Sequence, residues 1–230
     1  MFWHPNLTFD DYYQYINEPK HLVNPERDLR MFTSDFIENY FSKTPWYMVP
    51  IAWLPMNIWF ISNMTASTPF NIFMIIFGIV SWGFAEYILH RFVFHGEDTW
   101  MRNVKCNNTI FTFHFMIHGI HHAFPQDAMR LVFPPALAHI LFFVVFWLPM
   151  LPVPDQIKFP WFMGVYIGYL SYDLMHYAFH HSNPAEGTFF KEMKTYHMQH
   201  HYKHGQVGFG VSQKFWDKVF GTELIINKAA

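Results

Sequence analysis

Apolar residues gather into four stretches with few polar breaks: WYMVPIAWLPMNIWFISNM (46–64), FNIFMIIFGIVSWGFAEYILHRFVF (70–94), LVFPPALAHILFFVVFWLPML (131–151) and WFMGVYIGYLSYDLMHYAF (161–179). They are apolar on nearly every face, and each has about the length a helix needs to cross a bilayer. Short breaks, TASTP and PVPDQIKFP, join them in pairs. The pattern predicts two helical hairpins whose tight turns face the same side. Ahead of them, TSDFIENYF reads as a short amphipathic helix capped by Thr33 or Ser34, placed at the membrane interface. Near the end, VSQKFWDKVFG reads as a capped helix with an apolar stripe of Phe215, Trp216, Val219 and Phe220, stopped by Gly221. That helix is expected to pack over a cytosolic cap or rest on the membrane. No repeat of fixed period and no low-complexity segment interrupts the pattern.

Charge placement orients the hairpins. Lys158 is the one lysine or arginine in the two turns; the others of the 15 lie in segments 1–45, 91–130 and 181–230. Positive residues stay on the cytosolic side, so both termini and the central segment are expected there. The expected organisation is a single membrane-embedded domain over 1–230. It has an interfacial segment 1–45, four transmembrane helices within 46–180 around a central cytosolic segment 95–130, and a C-terminal cap 181–230.

Composition agrees. Residues are 52% hydrophobic and only 14% charged, too apolar for an ordinary soluble domain. The net charge of -2 supplies no basic field, which argues against a nucleic-acid partner. Cys106 is the only cysteine, so neither an intrachain disulfide nor a cysteine zinc site can form; a buried or idle thiol is expected. The start, MFWHPNLTFDDYYQY, has no basic and apolar run of the kind a cleaved signal carries.

The candidate chemistry lies in 16 histidines. Four clusters can be read, all on the basic side: HRFVFH (His90, His95), HGIHH (His118, His121, His122), HYAFHH (His176, His180, His181) and HMQHH (His197, His200, His201). Residues three and four apart share a helix face, so His118 projects with His121 and His122, His197 with His200 and His201, and His176 with His180. Adjacent histidines diverge by about 100° and can reach two different metals. His90 and His95 are five apart and would not share a face of a regular helix, so the helix is expected to end or loosen near Arg91. Imidazole suits divalent iron, zinc and copper. Ten such ligands exceed one ion, which points to two. Zinc cannot change redox state, whereas iron could activate oxygen. His4, His21, His139, His181 and His204 fit the spacing less well, as does His114. His114 and His204 could be ligands or could support them; His139, inside the third stretch, reads as a bonded core residue.

Other polar residues accompany the fourth stretch. Tyr169, Tyr172, Asp173, His176 and His180 form one stripe, and Asp173 reads as an acceptor for a ligand N–H or as a substrate contact. Glu86, one turn before His90, is expected to orient that imidazole or to pair with Arg91 or Arg130.

These boxes resemble the fatty acid hydroxylase superfamily of integral membrane di-metal oxygenases, and within it the fatty acid 2-hydroxylases. The resemblance runs from about Thr33 to Thr222. It is carried by EYILHRFVFH, HFMIHGIHHAFPQDAMRLVFPP, YLSYDLMHYAFHH and YHMQHHYKHGQVGFGVSQKFWDKVFGT. It implies an all-α integral membrane fold whose four transmembrane helices and cytosolic helical cap hold a histidine-rich di-metal site. The implied ligands are His90, His95, His118, His121, His122, His176, His180, His197, His200 and His201. Tyr169 and Tyr172 resemble family tyrosines near the metals and, with Asp173, are the candidate catalytic residues. The implied activity is oxygen-dependent hydroxylation at carbon 2 of a long fatty acyl chain, free or in ceramide. Molecular oxygen is the co-substrate, the metal is iron with zinc as a possible bound species, and the location is the endoplasmic reticulum. Many relatives carry a cytochrome b5 domain. Here the 45 residues before the first stretch are too few, and HPNL at His4 is not the haem motif HPGG, so a separate cytochrome b5-type donor is expected. Lys191, Lys194, Lys203, Lys214 and Lys218 could form its docking face. The alternatives are sterol methyl oxidation or desaturation, carotenoid hydroxylation, and a non-enzymatic membrane metal-binding or transport protein.

Overall fold

The computed structural model describes residues 7–22, 29–105 and 107–225, and among these every regular element is helical. His4 and Cys106 lie outside the described residues. The four apolar stretches form α3 (Met48–Ser62), α4 (Thr68–Ile88, running on through a wide π turn as Thr68–Phe94), α6 (Pro135–Met150) and α7 (Asp155–His181). The earlier elements are α1 (Phe9–Asn17), α2 (35–42) and the polar-side α5 (108–123); α8 (Phe189–Tyr202) and α9 (Phe215–Phe220) follow.

All four stretches are helical, and the helices Met48–Ser62 and Thr68–Ile88 both pack on Asp155–His181. Trp59 near the end of α3 lies 5.0 Å from Trp147 of α6 and 5.1 Å from Phe159 of α7, between ring centroids, so the end of α3 lies against the junction of α6 and α7. The lengths differ from expectation. Among the described residues, Thr68–Phe94 is the one helix both long and apolar enough to cross a membrane. The 15 residues of α3 rise about 22 Å, and α6 is broken by a π turn at Phe143–Trp147 and a 3₁₀ turn at Leu148–Met150. The 27 residues of α7 reach about 40 Å but carry Asp155, Lys158 and Asp173. Ile58, Ile61, Phe73, Ile76, Ile140 and Val144 nevertheless point outward and exposed, an apolar surface that marks a membrane-associated chain.

Close backbone contact joins α4 to α7. A Cβ on Gly78 would meet the Trp161 carbonyl oxygen at 2.2 Å, and one on Gly164 would meet that of Ile75 at 2.0 Å. Small residues permit this approach. It aligns the two helices so that the His90 end of α4 and the His176 end of α7 emerge together.

The segments around the hairpins are pinned by buried polar groups. Ser34 caps α2 through Ile37 N (3.4 Å). Arg130 pairs with Glu38 and with Asp127 (2.7 Å) and donates to Ser42 Oγ and the Leu29 carbonyl, while Glu38 accepts from the Met31 and Phe32 amides. Helix α1, closed by a Thr8–Asp11 capping box, buries Tyr12 and Ile16 against Phe111, Phe115 and Ile120. Helix α9 ends at Gly221, whose φ of +68° suits glycine. Its Asp217 accepts from the Phe209 amide (3.0 Å), the Gly210 amide (2.7 Å) and Thr222 Oγ1 (2.7 Å). Trp216 packs on Phe84 of α4, while Phe215 and Val219 stay exposed.

Candidate metal centre

The ten histidines of the four boxes are all buried, and four helices bring them to one place. His90 and His95 leave the end of α4, His118, His121 and His122 come from α5, His176 and His180 from α7, and His197, His200 and His201 from α8. They divide into two clusters. In the first, His121, His176, His180, His197 and His201 each place one ring nitrogen within 4.8 Å of all the others. In the second, His90, His95, His118 and His122 do the same, and His200 joins through its Nε2, 3.0 Å from that of His95. The adjacent pairs His121–His122 and His200–His201 therefore feed one ring to each cluster, as helical divergence requires.

The π turn resolves the spacing of the first box. The His95 amide bonds the His90 carbonyl five residues back at 2.9 Å. In a regular helix the two side chains would stand about 140° apart. The wider turn swings them onto one face, with ring centroids 5.0 Å apart. His118 lies within a second π turn, Phe115–Gly119.

The donor set fits metal ions. Nε2 of His180 and of His201 each approach Nε2 of His197 at 3.0 Å, and His121 approaches His201 at the same distance. Ligands about 2.0–2.1 Å from one ion stand about 3 Å apart. The buried Nε2 atoms of His90, His122 and His176 have no hydrogen-bond partner, an expensive arrangement unless a cation takes the lone pairs. Burial first, then neighbouring imidazoles, pushes His118, His121, His122, His197 and His201 well below the ordinary histidine pKa, and His200 down to about 3. Neutral imidazole is the form that ligates.

Outer contacts fix which nitrogen faces inward. His90 Nδ1 donates to the Phe209 carbonyl at 2.5 Å and His200 Nδ1 to that of Val207 at 2.8 Å. His95 Nδ1 lies 3.0 Å from Glu97 and 3.7 Å from Asp98. Burial opposes a charge on His95, but the two carboxylates outweigh it and hold its pKa up at about 9. Burial likewise opposes charge on Glu97, yet His95 and His114 draw its carboxyl below the ordinary range. Glu97 was not singled out by spacing; its one signal is a carboxylate two residues after a histidine in HGED.

Several expectations need correction. Asp173 bonds none of the clustered histidines. It accepts from Tyr169 Oη (3.1 Å) and the Phe133 amide (3.2 Å), because α7 faces segment 131–134 there. Glu86 neither orients His90 nor pairs with an arginine: the 211–212 backbone reaches it first, through the Val211 and Ser212 amides at 2.8 Å each and Ser212 Oγ at 2.5 Å. Arg91 donates to Tyr87 Oη instead. His114, offered as a ligand or a support, lies outside both clusters: it bonds Tyr12 and the Phe94 carbonyl and stands 2.7 Å from Glu97. His139 stacks on Trp53 at 4.2 Å and bonds the Pro135 carbonyl, as its core reading requires. The lysine face is largely paired, Lys191 with Glu186, Lys214 with Glu192 and Lys218 with Glu223.

Two cavities adjoin the clusters. A cleft of about 150 Å³ is lined by His118, His121 and His176 together with Asp173 and apolar side chains from α2, α5 and segment 131–137. A second, narrower cavity of about 50 Å³ lies among Trp53, Trp82, Phe142 and Tyr169. Phe94, Phe133 and Tyr172 line both and partition them. Tyr172 also stacks on His176 with centroids 5.9 Å apart.

Comparison with known proteins places this geometry. The family model for fatty acid hydroxylase matches residues 75–222. The dihydroceramide fatty acyl 2-hydroxylase FAH1 of Arabidopsis thaliana is 38% identical, over 93% of this chain and 86% of its own length. The ceramide very long chain fatty acid hydroxylase SCS7 of Saccharomyces cerevisiae is also 38% identical, over 94% of this chain but 54% of its own. The fatty acid 2-hydroxylase of Mus musculus is 34% identical over 96% and 62%. The solved structure of full-length scs7p, in which only the hydroxylase domain is visible, superposes with a TM-score of 0.85 at 36% identity, over 95% of this chain and 80% of that one.

Proposed function

Because the chain belongs to the fatty acid hydroxylase family, we propose that it hydroxylates carbon 2 of a long-chain fatty acyl group, free or within ceramide. The reaction consumes one O₂, two electrons and two protons; a C2–H bond becomes C2–OH, and the other oxygen atom leaves as water. The observation that carries this reading is that His118, His121 and His176, drawn from both clusters, open onto an apolar cleft.

In this reading His90, His95, His118, His122 and His200 hold one metal ion, and His121, His176, His180, His197 and His201 hold the other. The ions, iron in the active protein, supply the redox chemistry for oxygen activation. The chain supplies position. Asp173 holds the Phe133 amide and Tyr169 hydroxyl, which fixes the wall against which the acyl group lies. Tyr172 presents its phenol between the two cavities, placing C2 on the histidine side and the chain end toward Trp53 and Phe142. Apolar walls exclude water. Arg130 also lines the cleft, but its guanidinium is already paired with Glu38 and Asp127, so it offers no free charge to a fatty acid carboxylate.

The topology we assign is four membrane spans in two hairpins within 46–180, with segments 1–45, 95–130 and 181–230 on the cytosolic side of the endoplasmic reticulum, all one unit. A separate cytochrome b5-type protein supplies the electrons. Lipid mass spectrometry of cells carrying the wild-type chain or His200→Ala tests the activity. The wild type alone should accumulate lipid with one added oxygen at C2. A new double bond or an oxidised sterol would move the assignment to a sister chemistry, and 2-hydroxy lipid from His200→Ala would remove the ligand role.

A further inference from the structure

Helix α1 lies far from the histidine boxes in sequence and outside the residues 75–222 that the family model matches. It nevertheless reaches the second cluster through two intermediate residues, His114 and Glu97. Tyr12 is fully buried, its ring stacked on Phe111 at 4.6 Å, and its hydroxyl lies 2.6 Å from His114 Nδ1. His114 Nε2 lies 2.7 Å from Glu97 Oε2 and 2.8 Å from the Phe94 carbonyl oxygen. Glu97 Oε1 lies 3.0 Å from His95 Nδ1. The next residue of α1 repeats the pattern: Tyr13 donates to Asp98 at 3.0 Å, and Asp98 stands 3.7 Å from the same His95 nitrogen.

One set of proton positions satisfies this chain. His114 Nε2 bonds the Phe94 carbonyl, with the Glu97 carboxylate beside it as an ion-pair contact, so that nitrogen carries the hydrogen. Nδ1 is then a lone pair, and the Tyr12 hydroxyl donates to it. Glu97, an ion-pair contact of His95 Nδ1, keeps a hydrogen on that nitrogen, so the proton that a metal ion displaces is the one on Nε2, and that lone pair then faces the cluster. Two imidazoles thus stand in series, and the phenol at one end favours the tautomer that presents a ligand at the other.

We infer that Tyr12, acting through His114 and Glu97, is a positioning residue for the metal ion held by the His95 cluster, so that the N-terminal helix is a working part of the site. This rests on the two-metal reading above. Without the Tyr12 hydroxyl the other His114 tautomer competes, and its Nε2 lone pair would face the Glu97 carboxylate. The grip on His95 then loosens, while the His180 cluster, which has no member of this chain, is untouched.

The test is zinc retention by the purified full chain in detergent micelles, titrated with a chelator and read as zinc per chain. The wild type should hold two ions. Tyr12→Phe should release one of them at about tenfold lower chelator concentration, the scale of outer-contact losses at metal sites, and keep the second at the wild-type concentration. His114→Ala should do the same, and His114→Gln, which retains an N–H donor toward Glu97, should recover part of the loss. If Tyr12→Phe holds both ions as the wild type does, or sheds both together as a loosened fold would, the inference is overturned. A wild-type chain that takes up no zinc would overturn the two-metal reading itself.

Discussion

His90 and His95 face one another with ring centroids 5.0 Å apart, although five residues separate them, because a π turn at Leu89–Phe94 replaces the last regular turn of α4. Both rings therefore belong to one cluster, whereas His180 and His197 belong to the other. His95→Ala should lower bound metal from two ions per chain to one, and His180→Ala should remove the other. Elemental analysis of the purified variants checks this. Loss of both ions from either variant would mean one shared site rather than two.

The helices and the histidine boxes were legible in the sequence because hydropathy and the three- and four-residue spacings follow from helix geometry alone. Adjacent pairs such as His121–His122 could be assigned to two sites for the same reason. The pairing of His90 with His95 was legible in part: their five-residue spacing called for a helix that loosens near Arg91, and it does, but as a π turn, which carries no spacing signature of its own. Glu86 and Asp173 were singled out as carboxylates within apolar stretches, yet their partners include backbone amides at 211–212 and 133, brought in by chain reversals that no local pattern encodes. Glu97 escaped notice, and His114 was left between ligand and support, because their contacts depend on α1, about a hundred residues from His114.

The crossing of α4 and α7 depends on missing side chains. A Cβ on Gly164 would meet the Ile75 carbonyl oxygen at 2.0 Å, and backbone cannot swing aside as a side chain can. Gly164→Ala should destabilise the fold by about 1–3 kcal/mol, read as a lowered thermal midpoint in detergent. Gly187→Ala gives the contrast: a Cβ there meets nothing within 4 Å, although its φ of +78° adds a smaller backbone penalty. A Gly164→Ala midpoint equal to the wild type would mean the helices pack less closely than described.

Asp217 acts on the site at one remove. It holds the Phe209 and Gly210 amides, and the carbonyl of Phe209 receives His90 Nδ1. Asp217→Ala leaves two buried amides without their acceptor and should cost about 2–4 kcal/mol. It should also lower affinity for the ion of the His90 cluster more than for the other. Equal loss at both ions would reduce its role to general folding.

Acid and alkali should weaken the metal-free chain for different reasons. His200 is held neutral with a pKa of about 3, below the unfolded value near 6.5. The unfolded chain therefore takes up this proton first, and stability is lost as pH falls below about 6.5. His118, His121, His122, His197 and His201 shift in the same direction and steepen that limb. His95 shifts the other way, to about 9: its contribution is full below about 6.5 and is lost as pH rises through 9. The thermal midpoint of chelator-treated protein should thus peak near neutrality, with the acid side steeper. Metal added at pH 7 should displace the His95 proton, so affinity should rise up to about pH 9. A midpoint independent of pH between 4 and 7 would contradict the buried neutral histidines.

Phe133 stands where the two cavities meet, its ring 6.1 Å from that of Phe94 and its amide tied to Asp173. If the acyl chain threads from the histidine cleft toward Trp53 and Phe142, this pair narrows its path. Phe133→Ala would join the cavities while leaving the Asp173 bond, which uses only backbone, in place. The variant should hydroxylate longer chains relative to shorter ones than the wild type does. The shift should be about tenfold in the product ratio, the low end of what one or two methylenes are worth in an apolar pocket. Competition between acyl chains of different length, resolved by mass spectrometry of the 2-hydroxy products, measures it. An unchanged length profile with intact activity would mean that the chain leaves the cleft by another route, past Phe41 and Met116 toward the exposed apolar surface.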